Sequence, residues 1–245
     1  MLDKNKTVLV VTGCIAPPQG VAELAVADAE ARRQQYLDSL GWALHETPFT
    51  KIVYCDNSDA SAPAELLAHA QATGKKLEWL HFAGDAARTA AQGKGYGEGE
   101  ILAYALAHSA LLADAEMLCK LTGRLTVANI GRFFRLAKPG RLYFWGNGLN
   151  SVAVDTRFYA MPKALYEAQF RDAYRAVNDR ENHWLEHGFY DAYRRCGVRC
   201  AALPLYPDLR GQSGSMGVRY ALPRPVLWGK AAASALGLYR PKETV

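Results

Sequence analysis

Two stretches of this chain have the residue types and spacing to hold an anion. The first is Lys120-Leu121-Thr122-Gly123-Arg124, in which two cations flank a small predicted turn. Arginine grips phosphate oxygens through a planar fork of donors, and lysine does so as a point charge. The second, upstream, is Gly93-Lys94-Gly95-Tyr96-Gly97-Glu98-Gly99, which leads into a predicted helix. Backbone N–H groups at a helix start attract phosphate, and glycine lets a ligand come close. Lys94 and Gly95 are the residues expected at such an anion. The run is not a P-loop, because Gly-Lys-Ser/Thr is absent. Nor is it G-x-G-x-x-G, since Glu98 falls where the last glycine counted from Gly93 belongs. Glu98 and Glu100 suit the positive end of a helix but would repel a phosphate there. The competing readings are a capped surface helix for the glycine run and two solvated cations for Lys120 and Arg124.

Further along, Asp155 ends an apolar segment. A carboxylate there could hold Mg²⁺ or Mn²⁺ beside a diphosphate. Arg157 points to the same side of an extended chain and could instead neutralise Asp155. His183-Trp184-Leu185-Glu186-His187 has the H-x-x-E-H spacing of inverted zinc peptidases, with both histidines on one face of a predicted helix. The only later glutamate is Glu243, which is poorly placed as the third ligand such enzymes need. Glu186 alone has the chemistry of a general base; otherwise it is a surface carboxylate paired with Arg194 or Arg195. No Gly-x-Ser-x-Gly elbow is present. Ser213 and Ser215 lie in a small, polar Gly/Ser segment that could close over a bound molecule.

The chain has 245 residues, enough for one domain with a substantial core. Its formal charge of +5 suits phosphorylated ligands, an anionic membrane surface or nucleic acid. No dense Lys/Arg block with interleaved aromatics occurs, which disfavours nucleic acid. Five cysteines, an odd number and mostly in apolar runs, read as buried thiols of a reducing cytoplasm. No run reaches membrane-spanning length. Val11-Thr12-Gly13-Cys14 looks like a lipoprotein cleavage box, but the apolar stretch before it is shorter than the roughly 7–15 residues of a signal core. It reads as a first strand.

The elements that must position these residues alternate in the first half. Strands are expected at residues 8–11, 51–55 and 77–82, with helices at 21–40, after Pro63, and at 98–113. This pattern implies an α/β fold with a mostly parallel sheet flanked by helices. Ligands of such sheets sit beyond the carboxyl ends of the strands, where Thr12, Gly13, Asp56 and Asn57 fall. In the second half, strands are expected at 141–145, 152–155 and 198–203, and helices at 163–177 and 180–196. A mobile loop at 204–217 and a short tail helix at 229–238 follow.

In this order, Asp56-Asn57-Ser58, the Lys94 to Glu100 run, Lys120 to Arg124 with Asn129, Val154-Asp155-Thr156-Arg157-Phe158, Trp184-Leu185-Glu186 and the Gly211 to Ser215 loop resemble bacterial glycosyltransferases of capsule, O-antigen or lipopolysaccharide synthesis. These have a GT-A-like, Rossmann-like fold. The resemblance implies a single domain, with a nucleotide-sugar-binding half over about 1–150 and an acceptor and catalytic half over about 151–245. It also implies an EC 2.4 enzyme that moves a sugar from a nucleotide-sugar donor to a cell-surface glycan. Asp56 would meet the nucleoside and Lys120 and Arg124 the diphosphate. Asp155 would take the metal, Arg157 would stabilise the leaving diphosphate, and Glu186 would be the base. The family's D-x-D has become Asp155-Thr156-Arg157, a departure that counts against Mn²⁺ or Mg²⁺. The implied location is cytoplasmic, with peripheral contact at the inner face of the membrane. The alternatives are another Rossmann-like transferase, for example one using S-adenosylmethionine, and a non-catalytic module for anionic polymers.

Overall fold

A computed structural model describes residues 1–18, 28–149, 151–212 and 217–242. β1 (Thr7–Gly13) is buried along its whole length. Its continuous β-branched run is what a strand covered on both faces requires. It pairs in parallel with β2 (Lys51–Asp56) on one side and β4 (Met117–Thr122) on the other. β3 (Lys76–His81) lies parallel outside β2, and β6 (Phe158–Pro162) runs antiparallel beside β4. The order is β3-β2-β1-β4-β6, so the expected α/β fold with a mostly parallel sheet is present. Thr12 lies opposite both Cys55 and Thr122, so β1, β2 and β4 end level and their loops open along one edge.

Alternate residues of β1 face opposite layers. Leu9 and Val11 join a core with α1 (Ala29–Glu46) and α6 (Ile130–Leu136), which follows the short β5 (Leu125–Val127). Val8 and Val10 join a second core on the other face. That core contains α4 (Lys94–His108), the aromatics of residues 166–174, and α8 (Leu185–Cys196). Between these come α2 (Ala64–Ala72), α3 (Ala86–Gln92), α5 (Ala110–Ala113) and α7 (Lys163–Leu165). A separate antiparallel sheet has the order β5-β7-β8, with β7 (Leu209–Gln212) and β8 (Arg219–Tyr220). α9 (Arg224–Ala235) follows. Among the described residues, no helix is long and apolar enough to cross a membrane.

Several expectations are corrected. The glycine run is not a loop before a helix: α4 begins at Lys94, so Gly95, Gly97 and Gly99 are helical. Their purpose is close packing. A Cβ on Gly99 would lie 2.0 Å from the Cβ of Tyr174, and one on Gly95 would press Val177 and Leu185. The helix expected through residue 113 breaks at Ser109, which caps α5. Glu78 accepts hydrogen bonds there from Ser109 Oγ, Ala110 N and Leu111 N. A carboxylate at the positive end of a helix is favourable. Residues 117–122, for which no strand is expected, form β4 beside the central β1, and the expected turn follows at Gly123 and Arg124.

In the second half, residues 141–145 and 152–155 make only isolated bridges, Tyr143 to Ala160 and Gly146 to Val154. Residues 198–203 form no strand. The expected helix at 163–177 is instead α7, a π turn (Tyr166–Phe170) and a 3₁₀ turn (Ala173–Ala176). The buried rings of Tyr166 and Phe170 both pack on Phe189 there. α8 starts at Leu185 rather than 180, because Asn182 adopts a left-handed conformation that ends the preceding turn. β7 occupies part of the expected loop 204–217, while Ser213 and Ser215 lie outside the described residues. Residues 21–27 of the first expected helix lie outside them too, and α1 continues to Glu46. α9 starts before the expected 229 and ends at Ala235.

The packing reading of the glycines makes a direct prediction. Gly99→Ala should lower unfolding stability by about 1–3 kcal/mol through overpacking. Gly41→Ala, whose Cβ would meet nothing within 4 Å, should leave stability unchanged or raise it by up to about 1 kcal/mol. Urea denaturation midpoints of the two variants check this contrast.

A cationic cleft at the strand ends

A cleft of about 710 Å³ opens where β1 and β4 end. Thr12, Gly13, Thr122 and Arg124 line it from the sheet, Glu98 from α4, and Glu186 from α8. Glu98, which lines it, belongs to a buried ion pair with Lys120. Lys120 sits on the α4 side of β4 and its side chain is wholly buried. Its Nζ donates to Glu98 Oε1, to Thr122 Oγ1 at 2.8 Å and to the Thr156 carbonyl at 2.6 Å. Glu98 Oε1 also accepts from Thr122 Oγ1 at 3.0 Å and Thr12 Oγ1 at 3.3 Å. Lys120 is therefore neither a turn cation nor a solvated one. Glu98 does not repel a ligand at a helix start; it neutralises Lys120.

Thr156 continues this chain, since its Oγ1 donates to Glu186 Oε1 at 3.0 Å. Glu186 lies in the first turn of α8. Burial pushes its carboxyl above the ordinary 4.5. The charges of Glu98 and Asp155 push the same way, and the hydrogen bond from Thr156 opposes them. A carboxylate raised towards neutrality and open to a cleft has the properties of a proton acceptor.

Arg124 also lines the cleft, is largely buried and donates to Gln35 Oε1 at 3.0 Å. Burial lowers its pKa, Tyr36 opposes this, and Arg32 adds repulsion. Arginine nevertheless stays charged at neutral pH. No carboxylate among the described residues pairs with Arg124. Arg32, on α1, donates from Nε to the Cys14 carbonyl at 2.8 Å and from Nη2 to Tyr36 Oη at 3.2 Å. Arg124 thus brings a positive charge to this part of the cleft, with Arg32 close by. Cys14 in this corner has its thiol pushed up to about 12, chiefly by burial, so it is protonated and a poor nucleophile.

Asp155 and Arg157 form a bidentate pair, with Nε to Oδ1 at 2.8 Å and Nη2 to Oδ2 at 2.6 Å. Burial disfavours the charge of Arg157, but Asp155 outweighs it and holds the pKa above the ordinary value. Arg157 also lies over the ring of Tyr220, 4.7 Å from its centroid, and lines the cleft. The donor set around Asp155 does not fit a divalent cation. Both its oxygens are taken by Arg157, and no group of three metal-ligating side chains occurs among the described residues. His183 precedes α8 instead of sharing its face with His187, whose Nδ1 accepts from Trp184 N at 3.2 Å.

The remaining expected residues divide. Thr12, Gly13, Asn57, Lys94 and Gly95 line the cleft. The start of α4, expected to receive a phosphate, holds Asp179, whose Oδ2 accepts from Gly95 N at 3.2 Å. Asp56 is fully buried and does not line the cleft. Its carboxylate accepts from Ile15 N, Tyr54 Oη, Ser58 N and Ser58 Oγ, which ties the loop after β1 to the end of β2. Sequence reasoning missed the Glu98–Lys120 pair, Thr156, Arg32 and Tyr220. A signal for the first existed: a single lysine within the apolar run Met117-Leu118-Cys119-Lys120-Leu121 needs a buried partner.

No family model matches this sequence, and no curated protein matches it either. Distant similarities exist among solved structures. A candidate nucleotide-diphospho-sugar transferase from Desulfovibrio desulfuricans G20 aligns at TM-score 0.42 and 10% identity, over 80% of this chain and 78% of that one. Glucosyl-3-phosphoglycerate synthase from Mycobacterium tuberculosis, in complex with phosphoglyceric acid, aligns at 0.39 and 13%, over 98% and 81%. HddC from Yersinia pseudotuberculosis aligns at 0.34 and 10%, over 66% and 79%. Similarity this distant transfers neither a residue role nor an activity.

Removing one partner of a buried ion pair strands the other. Glu98→Ala should therefore cost about 3–5 kcal/mol of stability. The double variant Glu98→Leu/Lys120→Met should recover most of that loss. Calorimetric unfolding of the three proteins checks it.

Proposed function

We propose that this chain is a nucleotide-sugar-dependent glycosyltransferase. One observation carries the reading: the Arg124 guanidinium and the Glu186 carboxyl, raised by burial, line one cleft at the carboxyl edge of a mostly parallel sheet. Such an edge is the usual place for a nucleotide. The donor diphosphate lies against Arg124, with Arg32 behind it. Arg157, oriented by Asp155 and stacked on Tyr220, stabilises the charge that develops on the leaving diphosphate. Lys120 does not touch the ligand; it fixes Glu98 and Thr156.

In the transfer, the acceptor hydroxyl oxygen forms a bond to the anomeric carbon as the bond from that carbon to the diphosphate breaks. Glu186 takes the hydroxyl proton, and the nucleoside diphosphate leaves with the electron pair. A single displacement of this kind inverts the anomeric carbon. Arg157 supplies the charge stabilisation, and no step is assigned to a metal. We further propose a cell-surface glycan as acceptor, with the reaction at the cytoplasmic face of the membrane. In this reading residues 1–150 mainly hold the donor, and 151–245 the acceptor and the base.

Thermal stability measured with UDP, GDP, CDP, CMP and S-adenosylmethionine, each with and without Mn²⁺, tests the reading. One nucleoside diphosphate should stabilise the protein, with little help from Mn²⁺. Arg124→Ala should weaken that ligand about tenfold or more, the size of a lost charge-assisted hydrogen bond. Stabilisation by S-adenosylmethionine alone, or by nothing in the panel, contradicts it.

The pH profile tests Glu186 separately. A base must be ionised, so transfer should fall as pH drops through its pKa. Because that pKa is raised, the acid limb should lie above the ordinary 4.5. Glu186→Gln should lower kcat by about 10²–10⁴, abolish the limb and leave donor affinity unchanged. An unaltered limb in the variant removes Glu186 from this role.

A further inference from the structure

The positive charge of the chain is concentrated at one end. Residues 209–245 contain Arg210, Arg219, Arg224, Lys230, Arg240 and Lys242 against a single carboxylate, Glu243, a surplus equal to the formal +5 of the whole chain. Of these cations, Arg219, Arg224 and Lys242 are exposed. Lys230 is turned inward, its Nζ over the rings of Tyr206 and Tyr239.

The same segment carries exposed apolar side chains. Trp228 is 68% exposed and Leu236 78%, and Val218, Val226 and Leu238 are exposed as well. On α9 and just past its end, Pro225, Trp228, Ala232 and Leu236 are all exposed and recur at helical spacing. The neighbouring loop adds exposed Leu149 and Val152, and is tied to the tail by Gly146 N to Tyr239 O and Lys242 N to Ser151 O. An exposed apolar stripe in a segment that also exposes Arg219, Arg224 and Lys242 is complementary to a surface that is apolar beneath and anionic at its face.

We infer that α9, residues 236–242 and the side chains of Leu149 and Val152 dock on an anionic lipid bilayer, with Trp228 and Leu236 entering the interface and Arg219, Arg224 and Lys242 meeting lipid phosphates. Binding of this kind scales with buried apolar area and with attraction to anionic headgroups. The surface adjoins the cleft, because Tyr220 and Asn147, which line the cleft, belong to the same two segments. The inference rests on surface chemistry alone and stands or falls apart from the donor reading.

The test is flotation of the full chain with phosphatidylcholine vesicles, with and without phosphatidylglycerol, at low and high salt. The protein should float with the anionic vesicles and be released by salt. Trp228→Ala with Leu236→Ala should cut partitioning about tenfold or more. Arg219→Ala, Arg224→Ala and Lys242→Ala should each cut it about fivefold. Far-UV spectra and nucleotide-dependent stabilisation should match the wild type in every variant, since these side chains are exposed. Absence of flotation at low salt overturns the inference. So does flotation unchanged by both sets of substitutions, or a dimer in solution that Trp228→Glu dissociates.

Discussion

The contact between Lys120 and Glu98 ties this protein together. A lysine in the central part of a parallel sheet faces the helical layer with no water to solvate it. The cost of that burial is offset only if a carboxylate and further acceptors meet it. Glu98 can reach it because α4 begins close to the sheet edge and its glycines let the helix sit tightly against the turns at 173–179. Thr122 Oγ1 and the Thr156 carbonyl complete the set of acceptors, and Thr12 donates to Glu98. One ion pair thus fixes the relative positions of β1, β4, α4 and the 155–157 segment, and Thr156 passes that order on to Glu186.

The chemistry of the cleft follows from this arrangement. Glu98 neutralises Lys120 and does not pair with Arg124, which donates to Gln35. Among the described residues, the hydrogen-bond partners of Arg124 are neutral, which suits a cation that meets an anionic ligand. Arg157 is held differently, by Asp155, which sets its direction while part of the guanidinium still faces the cleft. The two carboxylates named for catalysis therefore differ in setting: Asp155 aims a cation, and Glu186 is pushed up by burial and, in the proposed reaction, accepts a proton.

The sequence revealed the first half of the fold and misled in the second for identifiable reasons. β1 and β2 announce themselves through Val and Ile, β3 through Leu77, Trp79 and Leu80, and the helices between them through proline or glycine breaks. β4 did not, because Lys120 and Arg124 were read as surface charges around a turn, although the apolar residues beside Lys120 already implied a strand. The glycine run gave a phosphate-loop signal for what is a packing device; only the proximity of Tyr174 distinguishes the two. In the second half, aromatic packing at Tyr166, Phe170 and Phe189 and a left-handed Asn182 override helical periodicity. Thr12, Asn57, Arg124, Arg157 and Glu186 were nonetheless legible as site residues that reach the cleft. Asp56 was legible as important, but its four hydrogen bonds assign it to the loop after β1.

The central claim is that the corner formed by Arg32 and Arg124 receives the diphosphate of a nucleotide while Glu186 stands across from it. The most direct measurement is a crystal structure of the protein with the nucleoside diphosphate that stabilises it best. The account predicts diphosphate oxygens within hydrogen-bond distance of Arg124 and Arg157, the Lys120–Glu98 pair intact, and Glu186 facing open cleft beyond the β-phosphate. A diphosphate bound elsewhere, or held by a metal on Asp155 with Arg157 displaced, would contradict it.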